Sequence, residues 1–205
     1  MKKILNNKGL TLFEILFGFG IFLIVIFGTA ALFSASSKAD KNVWENSFAQ
    51  SITSKATRIF VDEMRTINYS TVGGYPLAFA SSTEIIFYAN IDSDSLMERV
   101  RYFVSGTTFS KGITKPTEDV LYEYDTSTEE VSEVVRNLQS ATNTIFTYYD
   151  SNYDGAGSTS SMTYPIFLPN VRIVEIKLLV KQNNLPNSPV FEIQSKAQLR
   201  NLKAN

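Results

Sequence analysis

The chain has 205 residues, 44% of them hydrophobic, enough for one folded domain with an extended appendage and too apolar for wholesale disorder. Its formal net charge is -1, and no long Lys/Arg run supplies the broad electrostatic footprint that nucleic acid requires. It contains neither Cys nor His, which excludes disulfides, thiolate nucleophiles, imidazole bases and nearly all zinc-site patterns.

In chain order, Lys2, Lys3 and Lys8 precede the stretch LTLFEILFGFGIFLIVIFGTAALF, residues 10–33, whose single charge is Glu14. As a helix this stretch covers about 36 Å, against roughly 30 Å of bilayer hydrocarbon, so a membrane span is expected. The positive-inside bias then keeps the lysines cytoplasmic and places everything after Phe33 across the membrane. An ordinary signal anchor would look similar. So would a cleaved secretory signal, with its cut near Thr29-Ala30-Ala31 or Ser34-Ala35-Ser36. Glu14 distinguishes these readings, because a carboxylate inside an apolar run costs roughly 2.5–3.5 kcal/mol at mid-membrane and so needs a partner.

The run Lys8-Gly9-Leu10-Thr11-Leu12-Phe13-Glu14 resembles the prepilin cleavage and methylation motif of type IV pilins and type II secretion pseudopilins. The resemblance implies that a prepilin peptidase cuts after Gly9 and methylates the new amino terminus at Leu10. It also implies that Glu14, at the family's fifth mature position, is drawn to the free amine of a neighbouring subunit and sets register in a growing filament. The physics agrees, since opposite charges a few ångströms apart in low dielectric attract strongly and relieve each other's desolvation. Loss of the three leader lysines would leave 16 basic against 20 acidic residues, a mildly acidic body. Many family members carry a proline about two-thirds along the span. Here Ala31 stands near that place, with Gly18, Gly20 and Gly28 as the close-packing or flexible positions.

Beyond Phe33, apolar residues at Val43, Phe48, Ile52, Ala56, Ile59, Phe60 and Ile67 recur at intervals suited to one face of an amphipathic helix. A single helix over 10–67 would be about 87 Å long. The run Asn68-Tyr69-Ser70-Thr71 and then Gly73-Gly74-Tyr75-Pro76 should end it. Strands are predicted at 84–89, 99–104, 120–124, 144–149, 171–180 and 190–199, several of them alternating polar and apolar residues as 171–177 does. Residues 129–139 suit either a short helix or a strand. The expected fold class is α+β, pilin-like, with a long amino-terminal helix as a spine against an antiparallel β-sheet domain. The expected divisions are a leader at 1–9, an assembly half-helix at 10–33, an amphipathic half-helix at 34–70 and a β-rich head at 71–205.

The order of these pieces also resembles PilW/GspJ-type minor pilins and pseudopilins. The resemblance rests on Ile85-Ile86-Phe87-Tyr88, Asp92-Ser93-Asp94 before Glu98-Arg99-Val100-Arg101-Tyr102, Ile145-Phe146-Thr147-Tyr148-Tyr149-Asp150, and Gln198-Leu199-Arg200-Asn201. A major pilin is the main rival. The implied function is that of a structural filament subunit that waits in the bacterial inner membrane, amino terminus cytoplasmic, before joining a periplasmic or extracellular filament. Its implied partners are other pilin or pseudopilin subunits, the prepilin peptidase, an inner-membrane assembly platform and membrane lipid. The rival of a different class is a membrane-tethered binding module or adhesin that does not polymerise.

One loop suggests a metal. Asp150, Asn152 and Asp154, followed by Gly155, form the D-x-N-x-D-G opening of a calcium loop, in which alternate oxygens face the ion. Ser161 stands where an EF-hand needs glutamate, and a solvated turn explains the same residues. Asp92 and Asp94 are possible donors from another loop. Catalysis is not expected, because neither a G-x-S-x-G elbow nor a glycine-rich phosphate cradle is present. Tyr88, Tyr102, Tyr122, Tyr124, Tyr148 and Tyr149 read as sheet-face packing rather than a stacking platform for bases, with only Arg99 and Arg101 as basic neighbours.

Overall fold

The computed structural model describes residues 11–92, 94–117, 122–140, 143–155, 160–182 and 188–200, with the backbone alone at 35 and 38–46. The chain is α+β. Among the described residues a helix, α1 (Leu12–Arg65), is followed by eight strands: β1 (Leu77–Ala80), β2 (Glu84–Ala89), β3 (Glu98–Ser105), β4 (Thr108–Thr114), β5 (Glu130–Val135), β6 (Phe146–Tyr149), β7 (Ile173–Lys181) and β8 (Val190–Gln198). The chain divides after Ser47 into two compact units.

In the first unit, α1 runs without interruption through Gly18, Gly20 and Gly28. Leu12–Ser34 has a mean hydropathy of 2.6 and is long and apolar enough to cross a membrane. Its large side chains, among them Phe13, Phe17, Ile24, Phe27 and Phe33, are exposed on every side of the helix. A helix that is apolar all round seeks an apolar surrounding rather than one packed face. The Thr29 hydroxyl donates to the carbonyls of Val25 and Ile26, both at 2.9 Å, so this polar group is satisfied within the helix.

In the second unit, the last turns of α1 bury Thr53, Ala56, Thr57, Phe60, Val61 and Met64. This corrects the stripe read from the sequence. Ala56, Phe60 and Ile67 are buried as expected, but Phe48, Ile52 and Ile59 are 68%, 39% and 41% exposed, and the side chain of Val43 lies outside the described residues. At 3.6 residues per turn, 48, 52 and 59 align on a second line of the helix, turned away from the 53, 57, 60 and 64 line. The threonines take core positions because their hydroxyls bond back to the helix, Thr53 to Ala49 O at 2.8 Å and Thr57 to Thr53 O at 2.9 Å. The helix ends where Thr66 turns both its N–H and its hydroxyl onto Glu63 O, at 3.0 and 2.9 Å.

The strands form two antiparallel sheets, a five-stranded one in the order β1-β2-β3-β4-β5 and a three-stranded one in the order β6-β7-β8. The single sheet expected from the sequence is thus two. Strand β2 has the expected limits, and β3, β6, β7 and β8 fall within two residues of theirs. Strands β1 and β4 were not foreseen, and the ambiguous stretch 129–139 contains strand β5. The predicted strand at 120–124 lies partly outside the described residues. In its described part, Glu123 makes only an isolated bridge to Thr117. Tyr124 anchors that segment by its side chain, its hydroxyl accepting from Thr71 N at 3.2 Å and donating to Met97 O at 2.5 Å. Gly106, at φ +59°, sits first in the two-residue β3–β4 loop, where a type II′ hairpin turn needs a left-handed residue.

Phe60 joins the core. Its ring lies 5.1 Å from Tyr102 and 6.5 Å from Phe87, on the first sheet, and 5.5 Å from Phe146, on the second. Next to it, Glu63 fastens the helix to the first sheet by accepting from the Tyr102 hydroxyl at 2.8 Å and from Lys111 Nζ at 2.5 Å. Burial, with the Glu63 carboxylate beside it, pushes the Tyr102 hydroxyl far above its ordinary value, so it stays a neutral donor.

On the first sheet's other face, Arg101 holds Glu129 bidentately at 2.8 and 2.6 Å and reaches Glu84 at 3.3 Å, while Arg99 lies 3.5 Å from Glu129. Gly112 makes room for this. It stands opposite Arg101 in the β3–β4 register, and a Cβ there would come within 2.4 Å of a Glu129 carboxylate oxygen. Gly112→Ala should therefore push Glu129 off both arginines and destabilise the fold by about 1–3 kcal/mol. Thermal denaturation of Gly112→Ala, Glu129→Ala and the double variant checks this. The double variant should lose no more than Glu129→Ala alone, and simple additivity would mean that the glycine acts elsewhere.

Candidate functional site

The functional residues foreseen at the amino terminus are Gly9, Leu10 and Glu14, of which Gly9 and Leu10 lie outside the described residues. Glu14 stands in the first turn of α1, within the membrane-length apolar stretch. Its Oε2 accepts from the Thr11 N–H at 3.0 Å and the Thr11 hydroxyl at 2.9 Å, while Thr11 Oγ1 accepts from Glu14 N–H at 3.3 Å. Thr11 and Glu14 thus form a reciprocal capping box, a Thr-x-x-Glu pattern that starts a helix by satisfying its free N–H groups. The sequence carries that signal as Thr11-Leu12-Phe13-Glu14, beside the cleavage motif that overlaps it. The carboxylate also sits at the positive end of the helix dipole. Among the described residues, Oε1 accepts no bond. The local cap thus engages one oxygen and leaves the other available to a cation.

At the foreseen calcium loop, Asp150 turns back on its own segment. Its Oδ1 accepts from Asn152 N–H at 2.9 Å and its Oδ2 from Asn152 Nδ2 at 3.0 Å, the bonding of an Asx turn. Both oxygens of Asp150 and the side-chain nitrogen of Asn152 are thereby engaged, and Gly155 follows Asp154 at φ +80° to complete the bend.

A different carboxylate group converges. One carboxylate oxygen from each of Asp92, Asp94 and Glu98 lies within 4.8 Å of the others. Asp92 and Asp94 stand in the exposed loop between β2 and β3, and Glu98 is the first residue of β3, opposite Ala89. The sequence places the three at a D-x-D-x-x-x-E spacing, but nothing in that spacing announces that Glu98 is buried. Lys115 Nζ reaches Asp92 Oδ2 at 2.5 Å, and this ion pair holds the Asp92 carboxyl below the usual carboxylate range.

No protein-family model matches the chain, and no curated protein is similar to it in sequence.

Of the tyrosines taken for sheet packing, Tyr102 and Tyr148 are buried, Tyr148 donating to Ser81 O at 2.9 Å, whereas Tyr122 is exposed. Arg99 and Arg101, the basic neighbours considered for nucleic acid, are both engaged by Glu129. On the second sheet Lys196 lies 3.0 Å from Glu175, bonds the Tyr153 hydroxyl and sits over the Tyr149 and Tyr153 rings. The Tyr153 bond and the Glu175 carboxylate raise the Lys196 ammonium above its ordinary value.

Proposed function

We propose that this chain is a structural subunit, a minor one, of a type IV pilus or type II secretion pseudopilus. In this reading it is anchored in the inner membrane by residues 10–33, cut after Gly9, methylated at Leu10 and drawn into a filament through its apolar half-helix. The observation that carries the reading is the start of α1. A carboxylate with an available oxygen, Glu14, heads a helix whose first 23 membrane-length residues are apolar on every side. It lies five positions beyond a Gly9 that follows a lysine-bearing leader.

The arrangement supports polymerisation for a physical reason. A helix apolar all round is equally at home in lipid and in a bundle of like helices, so transfer between them costs little hydrophobic energy. What then distinguishes the two surroundings is the buried charge, which in lipid lacks a counter-ion and in a bundle can meet a neighbour's amino terminus. The chain needs no catalytic group for this role. The assembly platform and prepilin peptidase are its partners, and the head from residue 71 onwards is carried on the helix.

The mature amino terminus tests the reading. Mass spectrometry of the full chain, purified from membranes of a cell with an active prepilin peptidase, should find N-methyl-leucine at Leu10. An intact Met1 would favour the non-polymerising tethered module, and a terminus near Ala31 would make the segment a cleaved signal.

A further inference from the structure

Glu98 is fully buried, at 0% exposure, although its side chain is ionisable and stands at the start of a strand. Its Oε2 accepts from the Ile91 N–H at 2.9 Å, while its Oε1 is shut off from solvent with no hydrogen-bond partner. A buried carboxylate oxygen without a donor is costly unless a proton or a cation compensates it. Thr114 Oγ1 is the other such side-chain atom among the described residues, but as a neutral hydroxyl it carries no comparable penalty.

From this orphaned oxygen and the two aspartate carboxylates gathered at the Glu98 carboxylate, we infer that Asp92, Asp94 and Glu98 form a binding site for a divalent cation, calcium by its chemistry. The dimensions fit. Donors that share one calcium ion at about 2.4 Å can stand no more than about 4.8 Å apart, a limit that the three carboxylate oxygens meet. The donors are all carboxylates, which suits a hard cation and gives no hold to metals that favour nitrogen or sulfur. The charge fits too, because three carboxylates against the one Lys115 ammonium leave two negative charges. Burial first, and then the charges of Asp92 and Asp94, push the Glu98 carboxyl above the usual carboxylate range.

The loop that carries the aspartates is held in place from outside. Thr71 Oγ1 accepts from Met97 N at 2.9 Å, and the Tyr124 hydroxyl donates to Met97 O at 2.5 Å. Asp94 Oδ1 accepts from Leu96 N at 2.6 Å, and the Asn90 amide donates to Asp94 O. An ion would complete an ordered site rather than gather a loose one. Lys115 is its internal competitor at Asp92.

The test titrates calcium chloride into the metal-free full chain in detergent, followed by calorimetry and thermal denaturation. One site with a dissociation constant of about 0.1–1 mM is expected, with a rise in Tm of about 3–6 °C at calcium tenfold above that constant. Asp94→Asn keeps an oxygen for the Leu96 N–H and lies at the surface, so it should fold normally and bind at least tenfold more weakly. Glu98→Gln should abolish binding, and Asp150→Asn should leave it unchanged. No heat and no shift in the parent chain would overturn the proposal, as would an Asp94→Asn variant that binds like the parent. Should Glu98→Gln fail to fold, Asp94→Asn decides alone. Loss of the response in Asp150→Asn instead would move the site to the other loop.

Discussion

Replacing Phe60 by alanine is expected to destabilise the domain by about 3–5 kcal/mol, as deletion of a fully buried aromatic ring commonly does. Domains of this kind have about 5–15 kcal/mol in total. The size of the effect follows from the ring's position. It is fully buried on α1 and touches Phe87 and Tyr102 of the first sheet and Phe146 of the second. Its loss leaves a void that three elements on two sheets would have to move to fill, and close-packed interiors relax only partly. Phe48, a residue of the same type on the same helix but 68% exposed, supplies the control. Phe48→Ala should change stability by less than about 0.5 kcal/mol. Denaturation midpoints of the two variants, measured under identical detergent conditions, check the contrast. Equal losses would mean that the core is not organised around Phe60.

The second large effect concerns Glu14 and bears on the proposed assembly. Glu14→Ala removes both the charge and the capping box with Thr11, whereas Glu14→Gln removes the charge alone, because a glutamine side chain can also cap the Thr11 N–H. Loss of the cap by itself should cost about 1 kcal/mol of helix stability. If the carboxylate sets register by meeting a neighbour's amine, both variants should be cleaved and methylated normally and both should disappear from sheared filaments. Recovery of incorporation in Glu14→Gln would instead assign the residue a capping role only. Normal incorporation of Glu14→Ala would remove the register mechanism altogether.

Residues whose neighbours lie close in sequence were the ones that could be read in advance. The run Ile85-Ile86-Phe87-Tyr88 consists of strand-favouring residues, and β2 has the expected limits Glu84–Ala89. Strand β4 escaped notice because Gly112 and Lys111 weaken its pattern, yet Gly112 is there for Glu129, a residue on a later segment. The helix was legible as a helix, but not the face it buries. Phe48, Ile52 and Ile59 are more apolar than Thr53 and Thr57, and composition favours the wrong line when threonine hydroxyls are satisfied by the helix itself. The candidate sites divide in the same way. The Asp150 loop attracted attention through its local pattern, whereas the cluster at Asp92 and Asp94 depends on the burial of Glu98, which only the folded β2–β3 pair creates.

Both sheets are meanders, every strand hydrogen-bonded to its immediate predecessor or successor in sequence. Such hairpins can close within microseconds where the connection is short, as it is in the two-residue turn between β3 and β4. The helix is different. Phe60 belongs to the oldest part of the emerging chain, yet its partners include Phe146, among the last elements to be made. A nascent chain therefore carries the buried face of this helix only partly covered until β6 has been made, and the moment of greatest vulnerability to aggregation or proteolysis falls before that strand arrives.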